Sequence, residues 1–281
     1  MKAIKLAFLL CFAALLVACS SNEQSAPQTE SDAEPVVEEK GTLKIGATSG
    51  PYSDMVSKAI KPILEEQGYE VEVVEFSDYV QPNNALGNGS IDANLFQHKI
   101  FMESFAAENG LELSEVIIVP TAPMGIYSSK FESMDAIEEG ATVALPNDPT
   151  NLARALLILE DAGLITISEE VDPLTVSEKD VANNPLNLQF QPIEAAQLPR
   201  AVESVDVAAV PGNFALASKM DLLDALKLEN MFDDYRNRVV VNTSDLEEQF
   251  VADIKAAVES EEFEAVIDNE FQGFGKPSWM E

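Results

Sequence analysis

The segment from Leu145 to Leu157, with the sequence LPNDPTNLARALL, places a tight turn between a buried strand and a helix. The residues before it, from Thr142 onward, are apolar and partly β-branched, as in a buried strand. Asn147 or Asp148 can cap the helix, and Pro149 suits its first position. In open α/β folds ligands bind at the carboxyl ends of strands, and free N–H groups at a helix start favour an anion.

Two polar side chains on this helix favour a carboxylate as that anion. Arg154 lies roughly 160° around the helical wheel from the apolar stripe, at about 100° per residue. Asn151 lies one turn before it on the same face, and a guanidinium can hold a carboxylate with two parallel hydrogen bonds. A capped surface helix with a solvated arginine fits the pattern equally well. Because Arg154 lies off the stripe, Arg154→Ala should leave the unliganded fold almost as stable.

Strands and helices alternate from Thr42 to Val119 in the order β-α-β-α-β-α-β, which indicates a mostly parallel sheet covered by helices. The run from Pro120 to Pro123 breaks this order. Further α/β units follow it, and among them we predict helices at 194–203 and 221–229.

Two similar tetrapeptides, SIDA from Ser90 and SVDV from Ser204, each follow a helix and open a strand. This short repeat indicates two similar α/β halves. Polar residues at the strand ends of each half would then face each other across a cleft.

The composition restricts the classes of function. The chain has 281 residues, with 17 Lys and Arg against 49 Asp and Glu, and such an acidic surface disfavours nucleic acid as a partner. An enzyme needs a nucleophile with its base, a metal cluster or a phosphate loop. The sequence has neither G-x-S-x-G nor G-x-x-x-x-G-K, and both cysteines lie in its first 19 residues. We therefore expect no catalytic residue, no metal site and no cofactor.

The first 18 residues have the features of a leader peptide. Lys2 and Lys5 precede an apolar run that is too short to span a bilayer comfortably. The sequence LVAC ending at Cys19 resembles the lipobox of bacterial lipoproteins, which implies cleavage before Cys19 and lipidation of its thiol. Residues 19–40 would then form an acidic tether. The protein is expected at the cell membrane, attached by lipid alone and facing the periplasm or the exterior; an ordinary signal peptide is the alternative.

Four motifs along the rest of the chain carry a family resemblance. They are FSDYVQPN at 76–83, IDANLFQHK at 91–99, PNDPTNLAR at 146–154 and QLPR at 197–200. In sequence and order they resemble those of the NlpA-type methionine-binding lipoproteins, which are substrate-binding proteins of ABC importers. The similarity covers roughly residues 41–281.

The resemblance implies an α/β fold of the two-lobed periplasmic-binding-protein type (type II), with mostly parallel sheets, flanking helices and a ligand cleft between the lobes. Lobe 1 would comprise residues 41–122 and 238–281, and lobe 2 residues 123–237. The implied partners are methionine or a related amino acid and the permease and ATPase of an ABC importer. Another small amino acid or a short peptide as ligand is the main alternative, and a structural surface lipoprotein is a further one.

The resemblance also implies the ligand-binding residues. Arg154 and Asn151 would hold the α-carboxylate, and Asn213 would bond the amino acid head group. The side-chain pocket would be lined by Tyr79, Phe96, His98 and Phe101. Such a wall suits methionine because a thioether packs well on aromatic edges. As alternatives, His98 and the phenylalanines could be core residues, and Asn213 could be a helix cap.

Overall fold

The computed structural model describes residues 39–280. The expected leader peptide, Cys19 and nearly all of the expected tether lie outside these residues. Among the described helices, none combines the length and the apolar character needed to cross a membrane.

The strands belong to two five-stranded sheets and one short pair. They are β1 (Gly41–Thr48), β2 (Tyr69–Phe76), β3 (Ala93–His98), β4 (Leu113–Ile118), β5 (Gly125–Tyr127), β6 (Thr142–Pro146), β7 (Thr166–Ile167), β8 (Val181–Asn183), β9 (Gln189–Ile193), β10 (Val207–Val210), β11 (Lys227–Leu228) and β12 (Asn237–Asn242). The α-helices are α1 (Pro51–Met55), α2 (Lys61–Glu66), α3 (Gln81–Gly87), α4 (Lys99–Asn109), α5 (Pro149–Asp161), α6 (Leu198–Ala201), α7 (Gly212–Ala217), α8 (Gln249–Val258) and α9 (Glu261–Glu270).

Both large sheets have one reversed strand. The first has the order β2-β1-β3-β12-β4, and only β12 runs against its neighbours. The second has the order β11-β5-β10-β6-β9, and only β5 is reversed. In each sheet the reversed strand is the first one that the chain forms on arriving from the other sheet. The expected α/β class with mostly parallel sheets is confirmed.

We call the part built around the first sheet lobe 1 and the part around the second lobe 2. The chain passes between the lobes twice, between Ile118 and Gly125 and again between Leu228 and Asn237. The boundaries proposed above at 122/123 and 237/238 stay predictions. Each lobe encloses its own buried apolar core. Because neither core extends across the cleft, polar groups can line the cleft.

The first helical segment is not one regular α-helix. A π-helical turn, Val56–Ile60, separates α1 from α2, and the N–H of Lys61 donates to the carbonyl of Val56. Pro62 follows directly and has no N–H to donate to an earlier carbonyl. The first helix of the predicted β-α alternation is therefore present but interrupted.

Two predicted helices are wrong in extent or in kind. The segment 194–203 forms a 3₁₀ turn, Ala195–Gln197, followed only by the short α6. The segment 221–229 forms a 3₁₀ turn, Leu222–Asp224, and then β11, which pairs with β5. A short apolar run fits a helix and a strand equally well. Here the segment forms a strand because the edge of β5 offers hydrogen-bond partners.

Candidate ligand-binding site

The start of α5 has the geometry predicted from its sequence. Asp148 is the N-cap, and its Oδ1 accepts from the N–H of Asn151 at 2.9 Å and from Oγ1 of Thr150 at 3.1 Å. Pro149 is the first helical residue. Burial raises the pKa of Asp148, while its bonds to Asn151 lower it. Of the two capping candidates, Asp148 and not Asn147 begins the helix.

Arg154 is buried, so the alternative of a solvated surface arginine is wrong. Its Nε and Nη2 atoms both donate to the carboxylate of Glu229, and the two side chains are only 7% and 4% exposed. Burial lowers the pKa of Arg154, but the charge and hydrogen bonds of Glu229 outweigh that effect and raise it. The polar face of α5 is covered because the chain returns past it between β11 and β12.

Glu229 had no signal in the sequence, since it lies 75 positions from its partner. Besides Arg154 it contacts the first passage between the lobes. Its Oε1 accepts from the N–H of Met124 at 2.6 Å, and its own N–H donates to the carbonyl of Met124 at 3.0 Å. Glu229 therefore joins α5 to both passages of the chain between the lobes.

Asn151 connects the arginine to His98 across the cleft. Its Oδ1 lies 3.4 Å from Nη1 of Arg154 and 3.3 Å from Nε2 of His98, and its Nδ2 donates to Asp148. Both ends of the amide are thus engaged within the protein. This arrangement makes Asn151 a residue that orients Arg154 and His98.

His98, at the end of β3 in lobe 1, lies next to Asn151 and is the N-cap of α4. Its Nδ1 accepts from the N–H of Phe101 at 3.2 Å, so we assign the ring proton to Nε2, which then donates to Asn151. Burial, and secondly the charge of Arg154, hold the pKa of His98 well below 6.5. A hydrogen bond from His98 to a ligand sulfur would compete with the bond to Asn151.

An aromatic cluster forms another wall of the site, next to His98. The ring centroids of Tyr79 lie 5.9 Å from Phe96 and 5.8 Å from Phe101, and those of Phe96 and Phe101 are 5.9 Å apart. Phe214 of α7, which the sequence did not single out, approaches Tyr79 at 4.9 Å from lobe 2.

Asn213 lies at the start of α7 beside this cluster. Its Oδ1 accepts from the hydroxyl of Tyr79 at 2.6 Å, while its Nδ2 is buried without a hydrogen-bond partner. The cap of α7 is Pro211, so Asn213 is not the cap. An unpaired buried donor is costly, and such groups in native structures call for an explanation such as a ligand.

All seven residues expected at the site line one cavity between the lobes, with about 330 Å³ of empty space including its open mouth. That they contact a ligand stays a prediction. Four further polar residues line the cavity and were not among the predicted ligand-binding residues, namely Tyr52, Gln97, Thr121 and Asn237. Among residues 39–280 no three His, Cys, Asp or Glu side chains are grouped so that they could hold a metal ion.

Comparisons with known proteins agree with this fold. A model of the NlpA lipoprotein family matches residues 43–279. The D-methionine-binding lipoprotein MetQ of Escherichia coli strain K12 is 35% identical over 240 residues, 84% of this chain and 88% of that protein. The probable D-methionine-binding lipoprotein MetQ of Vibrio cholerae has the same identity and coverage.

Solved structures give the same result. A nutrient binding protein from Burkholderia cenocepacia, solved bound to methionine, superposes with a TM-score of 0.78 at 36% identity, covering 82% of this chain and 97% of that one. Lipoprotein Tp32 from Treponema pallidum gives 0.79 at 30% identity, with 84% and 98% covered. The resemblance inferred from the four motifs is thereby confirmed, and the chain belongs to the NlpA lipoprotein family.

Proposed function

We propose that this protein is a lipid-anchored binding protein outside the cytoplasm that captures methionine between its lobes and delivers it to an ABC importer. The buried Nδ2 donor of Asn213 carries the proposal, because it has no partner among residues 39–280 and Asn213 lines the same cavity as Arg154. Donors on two residues that line one cavity suit a carboxylate. One relative is named a D-methionine-binding lipoprotein and a similar structure was solved bound to methionine, which favours methionine as the ligand that carries this carboxylate.

The roles of the site residues follow from their free atoms. Arg154 has five N–H donors. Glu229 engages two of them and one on Nη1 is directed at Asn151, which leaves one N–H on each of Nη1 and Nη2 for a ligand carboxylate. Asn213 adds its Nδ2. Asn151 holds the guanidinium in place, and the aromatic wall packs against the thioether side chain. In this arrangement the ligand accepts hydrogen bonds from donors of Asn213 and Arg154 that have no acceptor within the described part of the protein.

Delivery requires partners that recognise the loaded protein, and we propose the permease and ATPase of an ABC importer as these partners. Cys19, lipidated, would keep the protein at the membrane surface facing the periplasm or the exterior. Because the relatives are named as binding proteins, no chemical step is assigned to the cleft.

A melting experiment tests the ligand. L-Methionine or D-methionine should stabilise the protein by about 2.7 kcal/mol at a concentration of 100 times the dissociation constant. Aspartate and glutamate should have little effect, because the charge of Arg154 is already balanced by Glu229. If a short peptide or another amino acid stabilises the protein and methionine does not, the alternative ligand holds. Stabilisation by none of them contradicts the proposal.

Mass spectrometry of small molecules released on denaturation gives an independent answer. The protein purified from its own cells should release methionine. Release of a different compound would identify the ligand directly, and product formation from it would reveal an enzyme.

A further inference from the structure

The Glu229 carboxylate lies behind Arg154, outside the ligand cavity. It lines a second cavity on the far side of the guanidinium, together with Tyr235 and residues of α5. Arg154 is therefore the partition between two spaces, with Glu229 on one side and the ligand site on the other. Glu229 cannot be displaced into the ligand cavity without losing its bond to Met124.

This placement fixes the orientation of the guanidinium. Nε and Nη2 are engaged by Glu229, and Nη1 points toward Asn151 on the side of the ligand cavity. The ring of Tyr235 covers the guanidinium carbon with its centroid 5.7 Å away. A planar fork held on three sides retains little rotational freedom, so less entropy is lost when a ligand binds.

The charge of Arg154 is balanced before any ligand arrives. Among the described residues that line the ligand cavity, Arg154 is the one that carries a formal charge, since His98 is held neutral. Glu229 cancels that charge, and Asp148 adds a further carboxylate beside Asn151. A ligand carboxylate brought in alone would therefore leave excess negative charge in a buried site, which is costly.

We propose that Glu229 determines the specificity of the site by cancelling the charge of Arg154, so that the cleft accepts a carboxylate only when the same ligand carries an ammonium group. This inference rests on the proposed function. It assigns Glu229 a positioning role toward Arg154 and a selecting role toward the charge of the ligand. Free α-amino acids meet the requirement, and carboxylic acids without an amine do not.

The experiment compares two ligands with the same side chain, L-methionine and 4-(methylthio)butanoate, which lacks the ammonium group. Wild-type protein should bind methionine and bind the butanoate at least about tenfold more weakly, because unbalanced buried charge is strongly disfavoured. Glu229→Gln keeps the shape and removes one negative charge. In that variant the ratio of the two affinities should shift toward the butanoate by about tenfold or more. Titration calorimetry gives both constants.

Two matched variants separate selection from simple damage. Glu229→Asp keeps the charge but shortens the side chain, so both affinities should fall while their ratio stays as in wild type. Glu160→Gln removes a carboxylate from the same second cavity; its Oε1 accepts from Ile167 and does not contact Arg154. That variant should leave the ratio unchanged. Sucrose, which stabilises folded states, keeps a weakened variant folded during titration.

The outcomes are distinguishable. If Glu229→Gln weakens both ligands by the same factor, Glu229 is only structural and the inference is wrong. The inference is also wrong if the affinity of wild-type protein for the butanoate lies within threefold of its affinity for methionine. That result needs no variant. Wild-type protein that binds neither ligand contradicts the proposed function itself, and this inference falls with it.

Discussion

The hydroxyl of Tyr79 in lobe 1 donates a 2.6 Å hydrogen bond to Oδ1 of Asn213 in lobe 2. This bond spans the cleft and determines which end of the Asn213 amide is left over. With Oδ1 engaged, the remaining group is the Nδ2 donor, which is buried without a partner. Tyr79 thus contributes to the aromatic wall. By holding Oδ1 of Asn213, it also leaves the Nδ2 donor of that residue available to a ligand carboxylate.

Tyr79→Phe should weaken methionine binding without changing the shape of the wall. The variant loses the bond between the lobes and leaves the amide of Asn213 free to rotate. We expect a loss of about 1–2 kcal/mol, or roughly 5- to 30-fold in affinity by calorimetry. Tyr69→Phe is the matched control, since Tyr69 donates to Asp253 away from the cleft. Equal affinities for the two variants would contradict the prediction.

Arg154→Ala should destabilise the unliganded protein, contrary to the expectation from the helical wheel alone, because Arg154 is paired with Glu229 in the interior. The variant leaves the Glu229 carboxylate buried without its cation, which typically costs about 3–5 kcal/mol. In Arg154→Met combined with Glu229→Met neither charge is buried alone, so the loss in free energy of unfolding should be much smaller. Urea unfolding measures both.

The control for this prediction is the exposed pair of Lys227 and Asp161, with side chains 34% and 54% exposed. Lys227→Met should cost less than about 1 kcal/mol, because water screens such pairs. A loss below that figure for Arg154→Ala would show that burial of the pair is unimportant for stability.

Cys19→Ser should abolish incorporation of a labelled fatty acid. The alcohol cannot replace the thiol that the leader sequence presents for lipidation. Cys11→Ser is the matched control, because Cys11 lies in the segment expected to be removed and its loss should leave labelling intact. Labelling of Cys19→Ser, or none in wild type, would exclude the expected anchor.

The short repeat seen in the sequence corresponds to a similar aspartate hydrogen bond in each lobe. Asp92 Oδ2 accepts from the N–H of Lys44 within β1, at 2.7 Å, and Asp206 Oδ2 accepts from the N–H of Thr142 at the start of β6, at 2.8 Å. In each lobe the aspartate opens a strand that pairs in parallel with the neighbour it bonds. Hydrogen bonds to Thr142 and Lys130 lower the pKa of Asp206 to about 2. Helix caps and the alternation of strands and helices depend on residues that are close together in the sequence, so the α/β order was predictable.

The long-range pairings were not predictable, and they decide the chemistry of the cleft. The helical wheel placed Arg154 on a polar face, which is correct for α5 alone. Only the return of the chain at Glu229 buries that face and neutralises it. The same segment contains β11, predicted as helix, because the open edge of β5 is visible only in the folded molecule. A partner 75 positions away leaves no periodic signal in the sequence.

His98 should make the stability of the protein depend on pH. Burial holds its pKa well below 6.5 in the folded protein, whereas in the unfolded chain it titrates near its ordinary value of about 6.5. Below that pH the unfolded chain takes up a proton that the folded protein does not. Stability therefore falls as the pH decreases from about 6.5 toward the folded pKa, with a limiting slope of about 1.4 kcal/mol per pH unit.

The sequence offers a clean way to isolate this term, since His98 is the only histidine. His98→Asn removes the titrating ring, and asparagine can still cap α4. Urea unfolding of both proteins between about pH 7.5 and 5 gives the difference in free energy of unfolding, from which the shared contribution of the carboxylates cancels. The advantage of wild type over the variant should be greatest at pH 7.5 and shrink toward pH 5. If the difference is constant over this range, His98 takes up its proton equally in both states, and its ring is not held neutral between Phe101 and Asn151.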